Sequence, residues 1–144
     1  MDLSDPTKKM SKSDISGKGV IYLLDDEKVL RKKIMSAVTD SENKVYYDPE
    51  NKPGISNLLT IYSSLKKISI EETSEHFKDY NYGNLKKEVA DVVVESLTEI
   101  QNKYHEIMNS NQINEILDIG RDKTMQIAKE KTYEVFRKVG FGRY

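Results

Sequence analysis

Apolar residues recur every three or four positions over much of the chain, which is the spacing that places them on one face of an α-helix. The longest run of this kind extends from Asn84 to Met108 and predicts one long amphipathic helix. Shorter runs predict helices over about 26–39, from Pro53 onward and over about 70–78. The pattern as a whole predicts an all-α chain arranged as a helical bundle.

Capping and turn residues set the limits of these helices. Asp25-Asp26-Glu27 suits the start of the first helix, and Ser69 and Glu72 have the spacing of a capping box at the start of the third. The apolar positions of the first helix are Leu30, Ile34 and Val38. The stretches Thr39–Asn43 and Tyr47–Gly54 are rich in turn formers, so we expect a loop there, with at most a short extended piece between them at Val45-Tyr46.

The last third of the chain also shows helical spacing. Ile113, Ile116 and Leu117 predict one or two further turns, and Gly120 is predicted to interrupt the helix before the last one begins. The predicted inward face of that last helix is Met125, Ala128, Thr132, Val135, Phe136 and Val139.

Composition excludes several kinds of site. The chain has no cysteine, which rules out disulfides, thiolate metal sites and cysteine nucleophiles. His76 and His105 lie on predicted helices without a second ligand at metal-binding spacing, so we expect no metal site. No stretch approaches the roughly 20 apolar residues of a membrane span, and the first residues lack a secretory signal. We therefore expect a soluble, cytoplasmic chain with no membrane contact.

The first 19 residues lack hydrophobic periodicity and are predicted to form a flexible loop, with Gly17 and Gly19 as its hinges. Within it, Lys9-Met10-Ser11-Lys12-Ser13 places two ammonium groups and two hydroxyls in five residues. Lysine supplies point charge, while serine hydroxyls and backbone N–H groups donate hydrogen bonds, so this composition suits a polyphosphate. A solvated lysine-rich loop is the alternative interpretation.

The same five residues match the second signature of the class I aminoacyl-tRNA synthetases. Further stretches follow one member of that class, namely Asp5–Lys8, Leu23–Asp26, Ser36–Ser41 and Tyr47–Leu59. The chain therefore resembles the bacterial tryptophanyl-tRNA synthetases over nearly its whole length. A tyrosyl-tRNA synthetase would share the lysine loop but not the stretch Pro53–Leu59, and it stays a weaker alternative.

The resemblance implies ATP-dependent attachment of tryptophan to tRNA(Trp) through tryptophanyl-adenylate, with Mg²⁺ accompanying ATP. It implies that Lys9, Ser11 and Lys12 hold the ATP phosphates, with Met10 near the adenine side and Ser13 completing the ATP-binding loop. Lys9 and Lys12 would be the catalytic residues, because cations that grip the departing pyrophosphate most tightly in the transition state lower the barrier.

The resemblance also implies a division of the chain. Residues 1–24 would form the lysine loop and a linker, and residues 25–144 the helical anticodon-binding domain. The class's other signature and the tryptophan pocket are absent from the sequence, so we expect the C-terminal part of such an enzyme, inactive alone. We expect the whole enzyme to be a homodimer through the absent nucleotide-binding domain, whereas this part can be monomeric.

Charge is unevenly distributed although the net charge is only −1. Residues 41–120 carry 8 basic and 14 acidic groups, whereas residues 121–144 carry 7 and 3. The resemblance makes the basic residues of the second segment candidates for contacts with tRNA phosphates. The basic residues of this segment are Arg121, Lys123, Lys129, Lys131, Arg137, Lys138 and Arg143, and the site prediction is Arg121, Lys123, Arg137 and Lys138. A solvated helix face is the alternative for these residues, and a stand-alone tRNA-binding module is the alternative for the chain.

Overall fold

The computed structural model describes residues 1–14 and 16–141. Within them the chain forms five α-helices and no strand, which confirms the prediction of an all-α fold. The helices are α1 (Glu27–Met35), α2 (Pro53–Lys66), α3 (Ile70–Phe77), α4 (Tyr82–Met108) and α5 (Gln112–Val139). None of these helices combines the length and the apolar character that a membrane crossing requires.

The chain divides into two compact units. The first unit, Met1–Gln101, contains α1, α2, α3 and most of α4. The second unit, Asn102–Tyr144, contains the end of α4 and all of α5, and its described part ends at residue 141. The lysine loop belongs to the first unit.

The core of the first unit is built from the apolar faces of its four helices. Its fully buried side chains include Leu30, Ile34, Ile55, Leu58, Leu59, Phe77, Leu85 and Val89. Burial of each such side chain contributes about 1.5–3 kcal/mol relative to exposure. Leu3 and Val45, from the segments before and between the helices, belong to the same core. These non-helical segments are therefore held on the helices by apolar burial.

Helix α1 is shorter than the predicted helix over 26–39, because it ends at Met35. Two of its three predicted apolar positions are buried, but Val38 is 48% exposed, so its assignment to the buried face is wrong. The backbone N–H of Val38 donates to the carbonyl of Leu3 at 2.8 Å. A hydrogen bond to a segment far away in the sequence thus replaces the helical one, and local periodicity contains no sign of it.

The predicted capping box of α3 is confirmed. The backbone N–H of Glu72 donates to Ser69 Oγ at 3.1 Å, and the backbone N–H of Ser69 donates to Glu72 Oε2 at 2.9 Å. Such a cap contributes about 1 kcal/mol, because it satisfies amide groups that have no partner inside the helix. Helix α4 also forms as predicted, although it begins at Tyr82 rather than at Asn84.

A buried cation organises the loop between α1 and α2. Lys52 is 3% exposed, and its Nζ lies 3.0 Å from Asp40 Oδ1 and 2.8 Å from Glu42 Oε2. It also donates to the hydroxyl of Tyr82 at 2.8 Å, and that hydroxyl donates to Asp40 at 2.6 Å. Burial opposes the charged form of Lys52, but these partners outweigh it and raise the pKa of the amine. The cluster ties the loop to the start of α4.

A second polar cluster connects α2, α3 and α4. The hydroxyl of Tyr62 donates to Glu88 Oε1 at 2.9 Å, and His76 Nε2 lies 2.7 Å from the same oxygen. The ring of Tyr62 packs edge-on against Phe77, with 4.7 Å between centroids. Burial and the hydrogen bond to Glu88 raise the pKa of Tyr62 to about 12. His76 therefore takes part in a contact between helices.

Helix α5 continues without a break through Gly120, so the predicted interruption there is wrong. One glycine inside a helix costs only about 1 kcal/mol relative to alanine, and the hydroxyl of Thr124 donates to the Gly120 carbonyl at 2.8 Å. The predicted inward face is wrong as well, since its residues Met125, Ala128, Thr132, Val135, Phe136 and Val139 are exposed. The second unit holds too few elements to enclose a core of its own.

Candidate functional site

Leu3, which is 2% exposed, anchors the segment that contains the lysine loop to the hydrophobic core. The backbone N–H of Leu3 donates to the carbonyl of Gly19 at 2.9 Å, and its carbonyl accepts from Val38 at 2.8 Å. Beside it, the backbone N–H of Asp2 donates to the carbonyl of Lys8 at 2.8 Å. Both ends of the loop are thus held by the core of the first unit.

Asp5 shapes the turn that precedes the lysine loop. Its carboxylate pairs with Lys8 Nζ at 2.7 Å and accepts from the Thr7 hydroxyl at 2.6 Å. The hydrogen bonds from Lys8 and Thr7 lower the pKa of Asp5 to about 2, and Asp5 in turn raises the pKa of Lys8. The positive charge of Lys8 is therefore already balanced within the turn.

Lys9 and Lys12 differ from Lys8 because no described carboxylate pairs with them. Both side chains are exposed, and neither ammonium group pairs with a carboxylate among the described residues. Ser11 closes the turn that extends to Asp14. The Ser11 carbonyl accepts from the backbone N–H of Asp14 at 3.0 Å, and the Ser11 hydroxyl accepts from the backbone N–H of Ser13 at 3.3 Å. The turn therefore carries two positive charges that no described carboxylate balances.

Met10 and two glycines fix the path of the loop. Met10 is partly buried and packs against the hydrophobic core. Gly17 has a φ of +58°, the left-handed conformation that side chains rarely adopt. Gly19 is buried, and a Cβ at this position would lie 1.8 Å from a carboxylate oxygen of Asp2. Glycine avoids backbone strain at position 17 and leaves room for the Asp2 carboxylate at position 19, and a hinge motion stays a prediction.

The chemical groups of the loop suit anion binding. Lys9 and Lys12 supply charge, and Ser11 and Ser13 supply hydroxyls, all of them on exposed residues. The loop contains no side chain placed as a general base or nucleophile. No cluster of His, Asp and Glu within residues 1–14 and 16–141 could hold a metal ion. The arrangement can bind and stabilise negative charge, and it offers no route for proton transfer.

Two of the four candidate phosphate contacts on α5 are already paired with acidic neighbours. Arg121 lies 2.7 Å from Asp118 and 3.0 Å from Asp122, measured between the charged atoms. Lys138 lies 2.5 Å from Glu134 in the same way. A phosphate would have to compete with these carboxylates, although exposed pairs of this kind are weak.

The other two candidates on α5 have no such competitor. Lys123 and Arg137 are exposed and form no ion pair with any residue that the structure describes. Arg143 lies outside the described residues. The structure therefore distinguishes two basic residues of α5 that are paired with carboxylates from two that are not paired with any described carboxylate. The sequence alone does not make this distinction.

A basic pocket that the sequence patterns did not predict lies between the end of the lysine loop and α1. It has a volume of about 490 Å³ and is lined by Ser16, Gly17, Lys18, Val29, Lys32, Lys33 and Ser36. The sequence signal for this pocket is the basic run Arg31-Lys32-Lys33. The apolar spacing of the same segment indicates a helix but does not show that its lysines line a pocket. The contribution of Lys18 could not be foreseen, because only the fold brings it to α1.

Comparison with known proteins identifies relatives of the whole chain. The family model described as tRNA synthetases class I (W and Y) matches residues 1–98. The tryptophan–tRNA ligase of Bacillus anthracis is 49% identical over 143 residues, which are 99% of this chain and 44% of that protein. The tryptophan–tRNA ligase of Malacoplasma penetrans is 48% identical over 144 residues, 100% of this chain and 43% of that protein.

A solved structure shows the same likeness in three dimensions. The crystal structure of tryptophanyl-tRNA synthetase from Mycoplasma pneumoniae superposes with a TM-score of 0.74 at 34% identity, covering 99% of this chain and 43% of that one. The chain thus spans less than half the length of the relatives that it matches. The family match, the sequence identity and the shared helical fold agree, and the chain belongs to the class I tRNA synthetase family of the W and Y type.

Proposed function

We propose that this chain works in the ATP-dependent attachment of tryptophan to tRNA(Trp), and that its Lys9–Ser13 loop holds the ATP phosphates. Two facts support the proposal. The relatives from Bacillus anthracis and Malacoplasma penetrans are tryptophan–tRNA ligases, which favours tryptophan over tyrosine as the amino acid. Lys9 and Lys12 carry charges that no described carboxylate neutralises, and this observation supports the phosphate-binding role most directly.

The proposed role of the two lysines is electrostatic. When tryptophanyl-adenylate forms, negative charge builds on the pyrophosphate that leaves ATP. Ammonium groups that contact this charge more closely in the transition state than in the ground state lower the barrier to the reaction. Lys9 and Lys12 would supply these contacts, while Ser11, Ser13 and backbone N–H groups donate hydrogen bonds to phosphate oxygens. Met10 would lie near the adenine side.

Mg²⁺ is expected with ATP, but the described residues do not form a site for it. The loop holds no pair of free carboxylates, and no cluster of His, Asp and Glu suitable for a metal occurs in the described part of the chain. In this proposal Mg²⁺ is bound by the phosphates of ATP, and no step of the mechanism depends on a metal ligand from this chain.

The proposal includes a division of labour along the chain. Residues 1–24 would act as the phosphate loop and its linker, and residues 25–144 as the helical domain that binds the anticodon side of tRNA. On α5, the contacts to tRNA phosphates would come from Arg121, Lys123, Arg137 and Lys138. The whole enzyme would be a cytoplasmic homodimer.

Binding of inorganic pyrophosphate to the 144-residue chain tests the phosphate role directly. Isothermal titration should show binding that weakens about tenfold for each of Lys9→Ala and Lys12→Ala, because each removes one charge-assisted interaction of about 1.4 kcal/mol. Lys8→Ala is the matched control, since the charge of Lys8 is balanced by Asp5 and its removal should have little effect. Equal weakening by all three substitutions would reduce the site to a general positive potential and contradict the proposal.

A second assay tests whether the chain acts alone. Tryptophan-dependent exchange of pyrophosphate into ATP should be undetectable with the 144-residue chain, because the loop cations cannot position the reactants without an adenine site and an amino-acid pocket. Exchange that requires tryptophan and disappears in Lys9→Ala would show that the described helices are sufficient for catalysis.

A further inference from the structure

Three lysines line the basic pocket beside α1, and two of them pair with no described carboxylate. Lys18 and Lys32 are exposed and form no ion pair with a described residue. Lys33 is only 14% exposed and is neutralised by Asp25, whose Oδ2 lies 2.6 Å from its Nζ. Lys33 also donates to the backbone carbonyl of Val20 at 2.8 Å. It therefore forms a fixed wall of the pocket, while Lys18 and Lys32 are available to a ligand.

The rest of the pocket is ordered around these two cations. Ser16 Oγ donates to Asp14 Oδ2 at 2.8 Å, which occupies that carboxylate and lowers its pKa. The backbone N–H of Lys18 lies 3.4 Å from Ser16 Oγ, and Gly17 between them has a φ of +58°. This turn sets the position of Lys18 opposite the exposed face of α1.

An exposed aromatic ring stands next to the pocket. Tyr22 is 38% exposed, and the ammonium group of Lys33 lies 4.7 Å from the centre of its ring. The edge of the same ring would be 3.7 Å from a Cβ placed on Gly17. Cationic pockets with an adjoining aromatic side chain are typical of sites for unpaired nucleic-acid strands, in which phosphates contact the cations and a base can stack on the ring.

The positive charge also extends along α1. Lys28 is exposed, has no ion pair with a described residue, and lies four positions before Lys32, which places both on one side of the helix. A line of separated cations fits successive phosphates along a nucleic-acid strand. A compact triphosphate would instead need its cations gathered around one point.

We infer that this pocket is a second phosphate-binding site, in which Lys18 and Lys32 hold successive backbone phosphates of tRNA. The inference rests on the proposed function for the identity of the RNA, and its site is separate from the Lys9–Ser13 loop. Its ligand is a phosphodiester, and its role is to hold the strand beside the loop that holds ATP.

The test is a titration of the 144-residue chain with fluorescently labelled tRNA(Trp) transcript at several salt concentrations. The double substitution Lys18→Ala/Lys32→Ala should weaken binding about 10- to 100-fold. It should also reduce the slope of log affinity against log salt by about 2, because two lysines no longer displace counterions from the RNA backbone. The control is Lys87→Ala, which removes from α4 an exposed lysine that pairs with no described carboxylate. It should change the affinity less than twofold.

A parallel titration with inorganic pyrophosphate separates the sources of phosphate. The inference expects pyrophosphate affinity to be unchanged in Lys18→Ala/Lys32→Ala and reduced in Lys9→Ala/Lys12→Ala. A pocket variant that no longer binds pyrophosphate, but binds tRNA normally, would assign the pocket to ATP and overturn the inference. Unchanged tRNA binding and an unchanged salt slope in that variant would also overturn it. If the unmodified chain bound no tRNA at all, the proposed tRNA-binding role of its helical domain would be wrong, and the inference that rests on it would be wrong as well.

Discussion

The backbone carbonyl oxygen of Val38 lies against Gly54 so closely that a Cβ on Gly54 would be 2.1 Å from it. The oxygen belongs to the start of the loop of residues 36–52, which follows α1, and Gly54 is the second residue of α2. The contact therefore packs the start of this loop against the start of α2. The obstacle is backbone, which a change of rotamer cannot relieve.

Gly54→Ala should therefore destabilise the first unit. Overpacking of this kind typically costs about 1–3 kcal/mol, because the backbone must shift to relieve the clash. Urea unfolding followed by circular dichroism would measure the change. An alanine variant as stable as the unmodified chain would show that α2 can move away from Val38 at little cost.

Gly120→Ala provides the opposite case. A Cβ at Gly120 meets nothing within 4 Å, and the residue lies inside α5 with helical geometry. Alanine should stabilise the helix by about 1 kcal/mol, since it lowers the conformational entropy of the unfolded chain and has the higher helix propensity. The helical signal at 222 nm on heating reports this directly, and an earlier decline of the signal in the variant would contradict the structure of α5.

Lys52→Met should loosen the loop between α1 and α2. The substitution keeps most of the apolar stem, but it removes the cation paired with Asp40 and leaves Glu42 with only its 3.7 Å pair to Lys44. It also removes one hydrogen bond from Tyr82. Because both carboxylates are partly exposed, the cost should be smaller than for a fully buried pair, about 2 kcal/mol. The urea midpoint measures it. Lys44→Met serves as the control with little expected change, because Lys44 is exposed and its 3.7 Å pair with Glu42 is a weak surface pair.

The same cluster predicts how stability depends on pH. Burial alone would raise the pKa of Asp40, but hydrogen bonds from Tyr82, from the backbone N–H of Glu42 and from Lys52 lower it from 3.8 to about 2. A carboxyl group whose pKa is lower in the folded state contributes stability above its unfolded value, and that contribution disappears as the pH falls from about 4 to about 2.

Urea unfolding between pH 5 and pH 2 should therefore show a steeper decline of stability in the unmodified chain than in Asp40→Asn, which has no carboxyl group to titrate at this position. Parallel curves for the two proteins over this interval would mean that Asp40 is not held by its partners as described.

How far sequence alone predicts this structure depends on the range of the interactions involved. Helix α4 and the capping box at Ser69 are set by residues within one or two helical turns, so their spacing is visible in the sequence. The end of α1 depends on a hydrogen bond from Val38 to Leu3, which no local pattern reveals. The phosphate loop could be recognised from five adjacent residues, whereas the pocket of Lys18 and Lys32 exists only after the chain has folded.

The basic residues of α5 should differ in their contributions to RNA affinity. Lys123→Ala and Arg137→Ala each remove a charge without an acidic partner among the described residues, so each should weaken tRNA binding and lower the salt slope by about 1. Arg121→Ala should have a smaller effect, because its charge is shared with Asp118 and Asp122. A titration of labelled tRNA at several salt concentrations measures all three variants. Identical reductions in affinity for the three would show that α5 acts as a diffuse positive surface.

Leu3 forms two backbone hydrogen bonds, one to Gly19 and one from Val38, and this arrangement has a consequence for protein engineering. Because the two ends of the loop are brought together by the core itself, extra residues inserted within it would leave the helices undisturbed. Doubling the length of a flexible loop costs only about 0.6 kcal/mol of closure entropy. The loop is therefore a suitable place to graft an environmentally sensitive dye or a foreign anion-binding peptide onto a helical scaffold.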